Sequence, residues 1–82
     1  MSYIFFTDPG HGWLRVKKTE IEPIKNQISH FSYMNGEYVY LEEDCDASTL
    51  IAALEAQKIE YSFREHNTNR SSKIRSYSMY VI

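Results

Sequence analysis

The sequence predicts an α+β fold in which an antiparallel-dominated sheet of four to five strands carries one main helix packed on one face. Three observations lead there. Asn35-Gly36 lies between two alternating runs, the signature of a tight β-hairpin. Ala47, Leu50, Ile51 and Leu54 repeat at i, i+3, i+4 and i+7, which places them on one stripe of a helix. Elsewhere aromatic and β-branched residues alternate with polar ones, the period of a half-buried strand. The 82 residues make a single compact domain, 1–82, and no repeat, low-complexity tract or linker divides them.

Residues 2–7 are aromatic and β-branched and stop at Asp8-Pro9-Gly10-His11-Gly12, so a strand runs into a tight loop. From Trp13 to Lys17 the pattern alternates, with Leu14 and Val16 on one side and Trp13, Arg15 and Lys17 on the other. Thr19 with Glu22 three positions on has the form of a capping box for a short helical turn through Ile21 and Ile24, which Pro23 keeps short. A type I′ turn centred on Asn35-Gly36 would pair Met34 with Glu37 and Tyr33 with Tyr38. One hairpin face then carries Phe31, Tyr33, Tyr38 and Tyr40, and the other His30, Met34, Val39 and Leu41. Asp46 is the expected N-cap of the main helix over 47–57, where acidic neighbours complement the positive end of the helix dipole. Ile59, Tyr61 and Phe63 mark another strand ending near His66, and 67–72 reads as a loop. The tail from Lys73 fits a short helix or a last strand equally well.

Nine Lys and Arg against eleven Asp and Glu give a formal charge of −2, too balanced for a protein that coats duplex DNA by neutralising phosphates. Nucleic acid is therefore not directly favoured as a partner. The single cysteine, Cys45, cannot form an intramolecular disulfide, and no CxxC pair builds a zinc site. Apolar runs are far shorter than the roughly 20 residues needed to cross a bilayer, and the N-terminus does not read as a signal peptide. The expectation is a cytoplasmic protein with no membrane partner.

Three patches are candidate sites. The aromatic hairpin face, joined by Trp13 and Arg15, would stack bases or anchor a protein partner unless the Thr19 segment or the tail covers it. It also leaves room for a homodimer. The acidic run Glu42, Glu43, Asp44 and Asp46, with Glu37 nearby, would press against a basic groove on a partner or simply solvate the helix start. Its spacing fails the calcium-loop pattern, so no metal and no cofactor is expected. Arg64, Arg70, Lys73 and Arg75 sit among Asn and Ser residues and would cradle phosphate. Catalysis has little behind it. Asp8 and His11 share a turn, and His66 lies near a strand end, yet no motif with a mechanism joins them. Cys45 lies beside carboxylates that disfavour its thiolate, so the reading is a non-enzyme.

Asp8-Pro9-Gly10-His11-Gly12-Trp13-Leu14, Val39-Tyr40-Leu41-Glu42-Glu43-Asp44-Cys45-Asp46 and the run from Asn69 to Tyr77 resemble a pattern in small proteins of bacterial viruses and plasmids. The resemblance implies a setting rather than an activity: small acidic proteins there often block host defences, anti-CRISPR proteins among them. It suggests an inhibitor that binds a host defence protein complex at its basic nucleic-acid-binding surface, with Tyr33, Glu37, Tyr38, Tyr40, Glu42, Glu43 and Asp44 as the contact residues. The alternative is a small nucleotide or single-stranded RNA binding module in which Arg70 and Arg75, with Arg64, hold phosphate and the aromatic face stacks a base.

Overall fold

The computed structural model describes residues 2–81. It is an α+β fold built on one mixed sheet of six strands in the order β5-β1-β2-β4-β3-β6. The strands are β1 (Ser2–Thr7), β2 (Gly12–Lys17), β3 (Tyr33–Asn35), β4 (Tyr38–Glu42), β5 (Ser62–Asn67) and β6 (Ser78–Met79), and the α-helix is α1 (Ala47–Ala56). A second helical piece, Lys18–Gln27, is a 3-10 segment, and another short one spans Lys73–Ser76.

The sheet therefore has more strands than the four to five expected, and one pairing of another kind. β1 and β5 are parallel, whereas β1–β2, β2–β4, β3–β4 and β3–β6 are antiparallel. Those pairings make β4 and β5 run the same way, so a crossover has to join them, and α1 supplies it. Alternation of apolar and polar residues reports which face a residue takes, not which direction its strand runs. The tail resolves into both alternatives, a 3-10 turn followed by the two-residue β6.

The hairpin forms with a register displaced by two. Asn35 pairs with Tyr38, Met34 with Val39 and Tyr33 with Tyr40, so Gly36 and Glu37 form the loop. Only Gly36 takes a positive φ there, +61°, the pattern of a type II′ turn with Gly at its first central position. Because side chains alternate with period two, a shift of two leaves each residue on its expected face. Phe31 is the exception, lying before β3 and exposed.

Two caps also differ. Glu20, not Glu22, closes the 3-10 segment by accepting from the Lys17 amide at 3.2 Å, and Pro23 lies inside that segment. Asp46 stands at the N-cap position of α1 without bonding a helix amide. Its buried carboxylate instead accepts from the Ser29 amide at 3.0 Å, the Ser29 hydroxyl at 2.7 Å and the Ser32 hydroxyl. The preceding connection is thus tied to the start of the helix.

Core forms on both sides of the sheet. On one side Tyr3, Leu14, Val16, Val39 and Leu41 meet Ile21, Ile28 and the α1 stripe of Ala47, Leu50 and Leu54. On the other, Trp13 and Tyr40 are buried with Ile74, ringed by Phe6, Tyr33, Tyr38 and Tyr77. On the α1 side Gly12 permits the close passage of β2, since a Cβ on it would lie 2.6 Å from the Phe5 ring. Leu41 is fully buried at the centre of the first core. Leu41→Ala should cost about 2–5 kcal/mol, a large part of the 5–15 kcal/mol typical of a domain, read as a lower urea midpoint.

Candidate functional site

The side of the sheet away from α1 is shaped by Asp8, which follows β1. Its carboxylate is buried and accepts from the Gly10 amide at 3.0 Å, the His11 amide at 2.9 Å and, across the molecule, the Ser72 amide at 2.8 Å. Arg75 completes the shell as a two-pronged donor, Nε to Oδ2 at 2.7 Å and Nη2 to Oδ1 at 2.9 Å. The Arg75 guanidinium also lies 5.4 Å from the Trp13 ring centroid. Ser72 caps the following 3-10 turn by accepting from the Ile74 amide at 3.2 Å. Together these bonds hold Lys73–Ser76 against the sheet, with Ile74 and Tyr77 over Trp13 and Tyr40.

That segment covers only part of the sheet and leaves a cleft of about 400 Å³ beside it. Phe6 and Tyr40 form its aromatic floor, with His66 and Tyr77 at the sides. The rings are in sequence: His66 to Phe6 at 5.3 Å, Phe6 to Tyr40 at 6.1 Å and Tyr40 to Tyr77 at 5.2 Å between centroids. Burial and then Tyr77 hold the Tyr40 hydroxyl above its ordinary pKa, with Arg15 pulling the other way. It therefore stays neutral near neutral pH.

Charge on the cleft has one sign. Arg15 rises from the floor, Arg70 and Lys73 line the loop side, and no carboxylate lines it. The Arg15 guanidinium lies 4.5 Å from the Tyr38 ring centroid and 5.6 Å from that of Phe6. Among the described residues it is the half-buried Lys or Arg side chain with no ion pair; Lys25, also half-buried, pairs with Glu22 at 2.7 Å. A cation withdrawn from water without a counter-charge favours an anion beside it.

The residues singled out in the sequence divide accordingly. Arg70 lines the cleft, Arg64 is exposed on β5 outside its lining, and Arg75 is committed to Asp8. Tyr33 and Tyr38 are half-buried and Tyr40 is buried, so the tail covers much of the aromatic face. The acidic run is not one surface. Glu42 is buried and accepts from the Asp44 and Cys45 amides at 2.9 and 3.0 Å, and Asp46 turns inward, leaving Glu37, Glu43 and Asp44 exposed. Phe6, His66 and Tyr77 join the cleft without having been marked as a group, because only the fold brings β1, β5 and the tail together.

A smaller recess of about 240 Å³ lies between His11, Trp13, Phe31 and Cys45. His11 Nδ1 is 3.6 Å from Glu42 Oε1. Desolvation first, then Glu42 and the adjacent carboxylates, hold the Cys45 thiol above its ordinary pKa, which works against a nucleophile. Asp8 has no capacity left for proton transfer. Among the described residues no group of three His, Cys, Asp or Glu side chains is placed to hold a metal, and no helix is long and apolar enough to cross a membrane.

No protein-family model, curated protein or solved structure matches the chain. Function has to be argued from the cleft.

The hydrogen bonds from Arg75, and with them those from the Ser72, His11 and Gly10 amides, hold the Asp8 carboxyl well below the usual carboxylate range. The folded chain thus binds this proton more weakly than the unfolded chain, whose Asp pKa is about 3.9. The stability Asp8 contributes is present above that pH and is lost as pH falls toward the folded value. In urea titrations from pH 6 down to 2, Asp8→Asn should start from a lower midpoint and decline less than the wild type. Parallel declines would remove Asp8 as the source.

Proposed function

We propose that this protein binds a nucleotide, as a separate molecule or within a single strand, with phosphate on the cationic side of the cleft and the base against its rings. The observation that carries the reading is Arg15, half-buried between Phe6 and Tyr38 with no carboxylate partner among the described residues. An anion supplies the missing counter-charge. Arg70 and Lys73 would add donors from the loop side, and the Ser71 and Ser72 hydroxyls stand beside them.

The aromatic lining selects among anions. Phosphate alone would use the cations and leave the rings idle, whereas a nucleobase gains from stacking by about 1–3 kcal/mol. The cleft is also within the size range of small-molecule sites, about 300–1,000 Å³.

An inhibitor that presents carboxylates to the basic groove of a defence complex has less behind it. Glu42 is occupied with its own turn, and the exposed acids that remain are Glu37, Glu43 and Asp44. A host nucleic-acid machine remains compatible as the setting, with the nucleotide rather than a basic groove as the recognised feature.

Calorimetric titration at low salt with AMP, UMP and inorganic phosphate tests the reading. Both nucleotides should saturate and bind more tightly than phosphate. Arg15→Gln and Lys73→Ala should each weaken them about tenfold, the scale of one charge-assisted hydrogen bond. Absence of saturation at millimolar nucleotide, or equal affinity for phosphate, would sink it.

A further inference from the structure

We infer that the cleft is one end of a track for a single-stranded nucleic acid several nucleotides long, rather than a pocket for a separate mononucleotide. The inference rests on the nucleotide reading of the cleft and adds what lies beyond it.

Net charge conceals how the charges are sorted. On the sheet face away from α1, alternation from Trp13 and Phe6 places Ile4 on β1, Arg15 and Lys17 on β2, Tyr38 and Tyr40 on β4, and Arg64 and His66 on β5. The register lines them up across the strands. Arg64 pairs with Ile4, Ile4 with Arg15 and Arg15 with Tyr40 in one row, and Lys17 pairs with Tyr38 in the next. With Arg70 and Lys73 on the loop wall, five of the nine basic residues serve this side besides Arg75, which is paired with Asp8. The one acidic strand residue on the face is Glu42, whose carboxylate is buried against its own turn.

The cationic surface therefore continues past the cleft. From the row of His66 and Phe6 to the row holding Lys17 is four residues along a strand, about 13 Å at roughly 3.3 Å each. That is three to four times the 3.4 Å rise per base of a stacked strand. A mononucleotide in the cleft would leave Lys17, Arg64 and the half-buried Tyr38 unused. Sequential nucleotides would meet the half-buried rings of Phe6 and Tyr38, with Arg15 between them and Lys17 in the row of Tyr38. Ring stacking requires unpaired bases, which selects a single strand over a duplex. Glu37, in the β3–β4 turn next to Tyr38, bounds the track with the opposite charge.

Affinity of the whole protein for UMP, pentauridylate, pentathymidylate and a hexaglutamate peptide, measured between 50 and 200 mM salt, tests this. Either pentanucleotide should bind at least tenfold more tightly than UMP, with a log–log salt slope of about −2 to −3 from some 0.7 per phosphate contact. The double variant Lys17→Ala/Arg64→Ala should reduce the pentanucleotide slope by about 1.4 and weaken pentanucleotide binding at least fivefold more than UMP binding. Pentanucleotides no tighter than UMP, equal losses for both ligands, or hexaglutamate binding as tightly as the oligonucleotides would each overturn the track. UMP that saturates alone would leave the cleft reading standing, whereas silence from every nucleotide would remove both.

Discussion

The ion pair between Asp8 and Arg75 is the constraint on which the cleft side of the molecule depends. It joins residues 67 positions apart, and its geometry is two-pronged, with the carboxylate sealed from water. Asp8 also gathers the Gly10 and His11 amides, so one side chain organises the first turn and the last irregular segment together. Without that attachment, Ile74 and Tyr77 would be held over Trp13 and Tyr40 only by their own packing and by the β3–β6 pairing that follows. The roof crosses the sheet from β5 at one edge to β6 at the other, and the cleft is the part of the face it leaves uncovered.

Local sequence signals recovered the parts of this fold that depend on periodicity. The α1 stripe, the alternation of β2 and the hairpin at Gly36 follow from apolar spacing and from one residue that tolerates positive φ. Even the displaced register keeps Tyr33, Tyr38 and Tyr40 on the expected face, because the shift is a multiple of the strand period; Phe31 falls outside the strand. Strand direction and order were out of reach. Nothing in Ser62–Asn67 says that it lies parallel to Ser2–Thr7, and β6 is too short to carry a pattern.

Residue chemistry was harder to read, and for a physical reason. Arg75, Glu42 and Asp46 rank as surface groups in a linear reading, yet Arg75 and Asp46 are satisfied by partners distant in the chain and Glu42 by the amides of its own turn. Arg15 is the reverse case: an ordinary strand residue that folding places on an aromatic floor with no acid beside it. Of the two half-buried cations among the described residues, Lys25 has an ion pair and Arg15 has none. A total of −2 averages over that sorting, and so does a pI near 5.9.

The pairing of β1 with β5, together with the 67-residue span of the Asp8–Arg75 bond, has a kinetic side. Both attachments close very large loops, whose entropic cost is met before any native packing rewards it. Hairpins β1–β2 and β3–β4 can assemble early from neighbours in sequence, while the roof arrives only with the final long-range closure. The cleft would thus be the last feature this chain acquires as it folds, and the first it gives up when the two ends part.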